Sequence, residues 1–124
     1  MKITTRTGES ATLIQVSGAI NVYSASAVGE AIQSLIADGV KHLVIDLTSV
    51  DSIDSSGLGT LVGNARSIAS AGGSIRLVGM TRRLRRMLKV TNLERYFSIC
   101  DDAEEALRDF ESQTVGAASP TEGV

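Results

Sequence analysis

Asp54, Ser55 and Ser56 are followed directly by Gly57, Leu58 and Gly59. Two hydroxyls and a carboxylate thus stand together where an apolar run gives way to a helical repeat. The first backbone N–H groups of a helix have no partner inside it and point out of its end. Glycines near that start remove side chains and let another backbone or a large group come close. Asp, Ser and Gly are also what any helix N-terminus and turn prefer, so residue types alone leave a structural cap and a functional site both open. Spacing tests the rival chemistries. A phosphate-binding P-loop needs Lys after its second Gly, but Thr60 follows Gly59 and no Lys is near. A nucleophile elbow needs Gly-x-Ser-x-Gly, and neither serine sits in that frame. A Ser-His-Asp triad would have to use His42, the single histidine. His42 opens the strand that the serines follow, and six residues of strand separate the two by roughly 20 Å. A hydrolase is therefore not indicated, and His42 reads as an edge or surface residue.

A second cluster is basic: Arg82, Arg83, Arg85, Arg86 and Lys89. On a helix Arg82, Arg85, Arg86 and Lys89 share one face, and Leu84, Met87 and Leu88 take the other. The cluster reads as a solvated helix face, then as a partner-contact patch. A nucleic-acid or acidic-membrane surface ranks third, because the acidic remainder and the scarcity of aromatics oppose it. Cys100 reads as a small core or edge residue. Asp101, Asp102, Glu104 and Glu105 read as an acidic helix start favoured by the dipole, not as metal ligands.

The surrounding pattern supplies elements to hold these groups. Ile3 to Arg6 suggests an edge strand, Gly8 and Glu9 a turn, and Ala11 to Val16 a strand broken by Gly18. Val28, Ile32, Leu35 and Ile36 mark one stripe of a helix that Ser24 can cap and Gly39 can end. His42 to Leu47 is nearly continuous apolar sequence, as in a strand covered on both faces, and the polar stretch to Gly57 reads as its loop. Leu58 to Ala69 carries a second amphipathic helix that Gly72 and Gly73 stop. Ser74 to Val78 is a further strand, and Leu84, Met87 and Leu88 suggest a short helix. Phe97 to Cys100 suggests a last strand, and Ala103 to Phe110 a final helix. Residues 112–124 read as a flexible C-terminal tail. The order predicts an α/β fold with a mixed, mostly parallel sheet of four to five strands and about four helices. Loops after the parallel strands should then share one sheet edge. That would bring Asn21, the segment 51–59 and the arginines from Arg82 together, with Asp46 bracing the Asn21 loop.

The chain has 124 residues, which suits one domain. Apolar residues make up 43%, too many for wholesale disorder. Aromatics are only 3%, which argues against stacking platforms for single-stranded nucleic acid, and a net charge of −2 gives no global attraction to polyanions. One cysteine with one histidine excludes an internal disulfide and zinc-finger spacing. No apolar run reaches the ~20 residues of a membrane helix, and MKITTRTGES lacks an apolar signal core, so a soluble cytoplasmic domain is expected.

Over about residues 2–110 the sequence resembles the stand-alone STAS domain of the bacterial anti-sigma factor antagonist family. Gly18-Ala19-Ile20-Asn21, Leu43-Val44-Ile45-Asp46-Leu47 and above all the run from Val50 to Gly59 carry the resemblance. Gly72-Gly73, the segment from Arg82 to Leu88, Leu93 and Ala103 to Leu107 support it. It implies a STAS-like domain over residues 1–111 and a binding module, not an enzyme. It also implies Ser56 as the phosphorylation site, with Asn21, Asp54, Ser55 and Gly57 as its surroundings and Ser55 as the nearest rival. The implied partners are an anti-sigma factor with serine kinase activity and a serine phosphatase. The unphosphorylated form would bind the anti-sigma factor and release a sigma factor, and phosphorylation would end binding. No cofactor of its own is implied; ATP and Mg²⁺ belong to the kinase. Arg82 or Arg83 could reach a phosphate on Ser56 from the neighbouring loop. The family usually has Asp where this chain has Asn21, which removes a negative charge beside the site. That departure favours the alternative, a non-phosphorylated STAS adaptor or scaffold subunit such as that of a lipid-transport ATPase complex.

Overall fold

The computed structural model describes residues 1–8, 11–108 and 110. Glu9 of the expected turn and the expected tail, residues 112–124, lie outside them. Five strands form one sheet in sequential order: β1 (Lys2–Thr7), β2 (Thr12–Ile20), β3 (His42–Ile53), β4 (Ser74–Val78) and β5 (Ser98–Cys100). β1 pairs antiparallel with β2, and every other neighbouring pair is parallel. The helices are α1 (Ala25–Ala37), α2 (Ser55–Ser70), α3 (Arg82–Val90) and α4 (residues 103–108).

Alternation along the strands divides the core in two. On one face Ile14, Val16, Ile45 and Leu47 pack under Val28 and Ile32 of α1, Leu61 and Ile68 of α2 and Leu84 and Leu88 of α3. On the other, Leu13, Val44 and Val78 pack under Ala106, Leu107 and Phe110. This explains why Leu13 and Ile14 are apolar in succession: each serves a different layer. The His42 ring stacks on Phe110 with centroids 4.8 Å apart. His42 therefore sits at the far end of β3 from the serines, as expected.

Three expectations change. Gly18 does not end β2. It adopts φ +96°, a conformation glycine reaches without strain, and the strand passes through a register shift there and pairs on to Ile20. β3 likewise does not stop at Leu47 but runs to Ile53, because Val50 and Ile53 turn inward and β2 offers residues 17–20 as pairing partners. Ser24 occupies the position before α1 but caps no helical N–H; its hydroxyl donates to Ala19 O at 2.6 Å instead. Gly39 ends α1 with φ +93°, and its N–H bonds to Ile36 O at 3.0 Å.

Candidate functional site

The extension of β3 sets the geometry. β4 pairs with β3 only as far as Asp46, whereas β2 stays paired to Ile53. The β2 and β3 ends therefore project together beyond the rest of the sheet, with Ile20 opposite Ile53. The chain leaves them at Asn21 and Asp54, so the sheet itself brings these two segments side by side.

Asp54 is extended (φ −98°, ψ −174°) and precedes α2. Its Oδ1 accepts from Gly57 N–H at 3.0 Å, satisfying one of the orphan donors of the first turn. Its Oδ2 accepts from Val22 N–H at 3.3 Å, and its own N–H donates to Ile20 O at 3.1 Å. One side chain thus caps the helix and ties it to the neighbouring loop. Asn21 instead holds the turn that leads into α1. Its Oδ1 accepts from Tyr23 N–H at 2.9 Å and Ser24 N–H at 3.2 Å. These bonds use only a carbonyl-type oxygen, which Asn and Asp both supply, so the amide is no structural handicap here.

Gly57 is buried, and a Cβ there would lie 2.6 Å from Ile20 O and 2.9 Å from Ile53 Cγ2. The helix start can rest on the two strand ends only because this residue has no side chain. Gly59 is different from the expectation of a close approach: it is exposed, with open space where its Cβ would be.

Ser55 and Ser56 are the first two residues of α2, and both are exposed. Among the described residues, neither hydroxyl makes a hydrogen bond. The capping work falls to Asp54, which leaves both hydroxyls available at the positive end of a 16-residue helix.

Arg83 lines a narrow cleft with Asp51, Ser52 and Met87, beside the end of β3. Arg82 is exposed, and neither arginine makes an ion pair or hydrogen bond among the described residues. Asp46 does not brace the Asn21 loop: its carboxylate accepts from Thr48 N–H at 2.9 Å and from Gln15 Nε2 at 3.4 Å. Sequence reasoning passed over Val22 and Tyr23, exposed at 62% and 91%. Two consecutive apolar residues in a polar loop were the available signal. Among the described residues no group of three His, Cys, Asp or Glu could hold a metal, and no helix is long and apolar enough to cross a membrane.

Comparison with known proteins agrees with this arrangement. The STAS domain family model matches residues 2–106. A Thermotoga neapolitana protein provisionally named an anti-sigma factor antagonist is 37% identical over 75 residues, 60% of this chain; the match spans 66% of that protein, just under two-thirds of its length. The anti-sigma-B factor antagonist of Bacillus subtilis is 34% identical over 91 residues, covering 73% of this chain and 83% of the relative. The crystal structure of an anti-sigma factor antagonist from Mycobacterium paratuberculosis superposes with a TM-score of 0.78 at 26% identity, covering 89% of this chain and 93% of that one.

Proposed function

The chain belongs to the STAS domain family, and from that premise we propose that it is an anti-sigma factor antagonist switched by phosphorylation at Ser56. The unit that acts is residues 1–111. In the unmodified form the projecting edge, built from Asn21, Asp54, Ser55, Gly57 and the loop at Val22 and Tyr23, docks on an anti-sigma factor and frees the sigma factor that it held. The same partner, a serine kinase, then modifies Ser56, and a phosphatase restores it.

One observation carries this reading: Ser56 presents an exposed hydroxyl, unengaged among the described residues, on the second residue of a helix whose cap is already supplied by Asp54. A phosphoserine adds about −1.5 to −2 charges. At a helix N-terminus the dipole favours such a charge by at most ~2 kcal/mol, so the free domain keeps its fold. Enclosed in an interface beside Asp54, the same dianion is left unpaired, at a cost of several kcal/mol. Shifting a complex from about 99% bound to about 1% needs roughly 5.5 kcal/mol, which desolvation and repulsion together reach. The switch is then a local charge event on a rigid platform.

Purified anti-sigma factors from the source genome, each mixed with Mg·ATP carrying a labelled γ-phosphate, test the reading. One of them should bind the chain and label the wild type and Ser55→Ala but not Ser56→Ala. Label that persists on Ser56→Ala would move the site. A stable complex with an ATPase subunit and no phosphate incorporation would replace the switch with the scaffold reading. Asn21 keeps the hydrogen bonds that an aspartate would accept but not its charge, so the labelling experiment decides between the two readings.

A further inference from the structure

We propose that the exposed face of α3 is a second docking surface, fitted to an acidic patch on the anti-sigma partner; this rests on the proposed function and extends its contact area beyond α2. α3 carries its charge against its own interest. Its first turn holds no acidic residue but does hold Arg82 and Arg83, at the helix end where cations are disfavoured. Arg82 stands three and four residues from Arg85 and Arg86, which in turn stand four and three residues from Lys89. Like charges at these spacings repel. All five side chains are exposed, while Leu84 and Leu88 alone bury the inner face.

The fold offers little relief. Arg85 pairs with Asp101 at 3.2 Å, a surface contact. Among the described residues, Arg82, Arg83, Arg86 and Lys89 have no carboxylate oxygen within 4.0 Å. A local rule broken without compensation inside the fold points to compensation from outside it. The patch is also continuous with the projecting edge: Thr81, Arg83 and Met87 share a cleft with Asp51, Ser52 and Ile53, and Ile53 immediately precedes Asp54. A partner seated over Ser56 would therefore reach α3. A protein surface suits the patch better than a polyanion. The chain as a whole is acidic (pI about 5.3), and Asp51 on one side and Asp101 and Asp102 on the other would repel a line of phosphates.

The test is the association rate with the anti-sigma factor that binds the wild type, measured from about 50 to about 300 mM NaCl, where screening lengths fall severalfold. R83E/R86E should slow association by about tenfold or more at the lowest salt and flatten its salt dependence. R83Q/R86Q should fall between, with a thermal midpoint no lower than the wild type, which separates lost charge from lost fold. An association rate within about twofold of wild type in both variants, with the salt dependence retained, overturns the proposal. So does binding of the wild type to a duplex DNA or to phosphatidylserine vesicles that R83E/R86E abolishes while partner association is unchanged. Ser56→Asp measured alongside keeps the two readings apart. If it blocks the complex while R83E/R86E does not slow association, this surface fails and the switch stands. If the reverse holds, the switch fails and the surface stands.

Discussion

Replacing Gly57 with Ala inserts a single methyl at the point where α2 meets the two strand ends. The new Cβ would stand 2.6 Å from Ile20 O, 2.7 Å from Ile20 Cγ2 and 2.9 Å from Ile53 Cγ2. Ile20 O cannot simply move aside, because it also accepts the Asp54 N–H. Overpacking of this kind costs about 1–3 kcal/mol, and the helix propensity of Ala returns up to ~1 kcal/mol. The net loss should be about 1–2 kcal/mol, or roughly 4–8 °C in Tm for a domain of this size. Gly59→Ala, two residues along the same helix, meets nothing within 4 Å. It should gain about 0.5–1 kcal/mol from propensity alone. Thermal unfolding of the two variants, followed by circular dichroism in parallel, supplies an internal control, since both change Gly to Ala in one helix. A Gly57→Ala protein as stable as Gly59→Ala would refute the claim that α2 rests directly on β2 and β3.

Further outcomes follow from the same contacts. Asp54→Ala removes the α2 cap and the bond to Val22 N–H, and should lower stability by about 1–2 kcal/mol in urea unfolding; Asp54→Asn, which keeps an acceptor, should recover most of it. Asn21→Asp should change stability by less than ~0.5 kcal/mol, because the oxygen that binds Tyr23 and Ser24 N–H is retained; a larger loss would show that the amide itself is needed. Arg82→Gln should raise stability by a few tenths of a kcal/mol, read as a slightly higher melting temperature, as it removes a cation from the positive end of α3.

Most of the architecture was legible because periodicity and turn residues agreed. The stripe Val28, Ile32, Leu35 and Ile36 gave α1, and the apolar run from His42 gave the start of β3. What escaped depended on pairing. Thr48 to Ser52 look like loop sequence, yet Val50 and Ile53 are both buried once β2 lies alongside, three residues apart because the pairing register skips Asp51. That pairing depends in turn on Gly18 bending through the strand rather than ending it. The site was half legible in the same sense. Asp54 and Gly57 could be placed at a helix start, but the bond from Val22 N–H to Asp54 joins residues 32 apart in sequence and leaves no local trace. The arginines were expected at the same sheet edge as Ser56. β4 pairs only as far as Asp46, yet Thr81 and Arg83 at the start of α3 still share a cleft with Asp51, Ser52 and Ile53 at the end of β3.

The switch stands or falls on one comparison. The chain phosphorylated at Ser56, with the modified residue verified by mass spectrometry, and the unmodified chain should be titrated against the same anti-sigma factor by calorimetry. The phosphorylated form should keep its thermal midpoint yet bind at least about a thousandfold more weakly, the ratio that roughly 4 kcal/mol of unpaired charge produces. Equal Kd values for the two forms would mean that charge at the start of α2 does not govern docking.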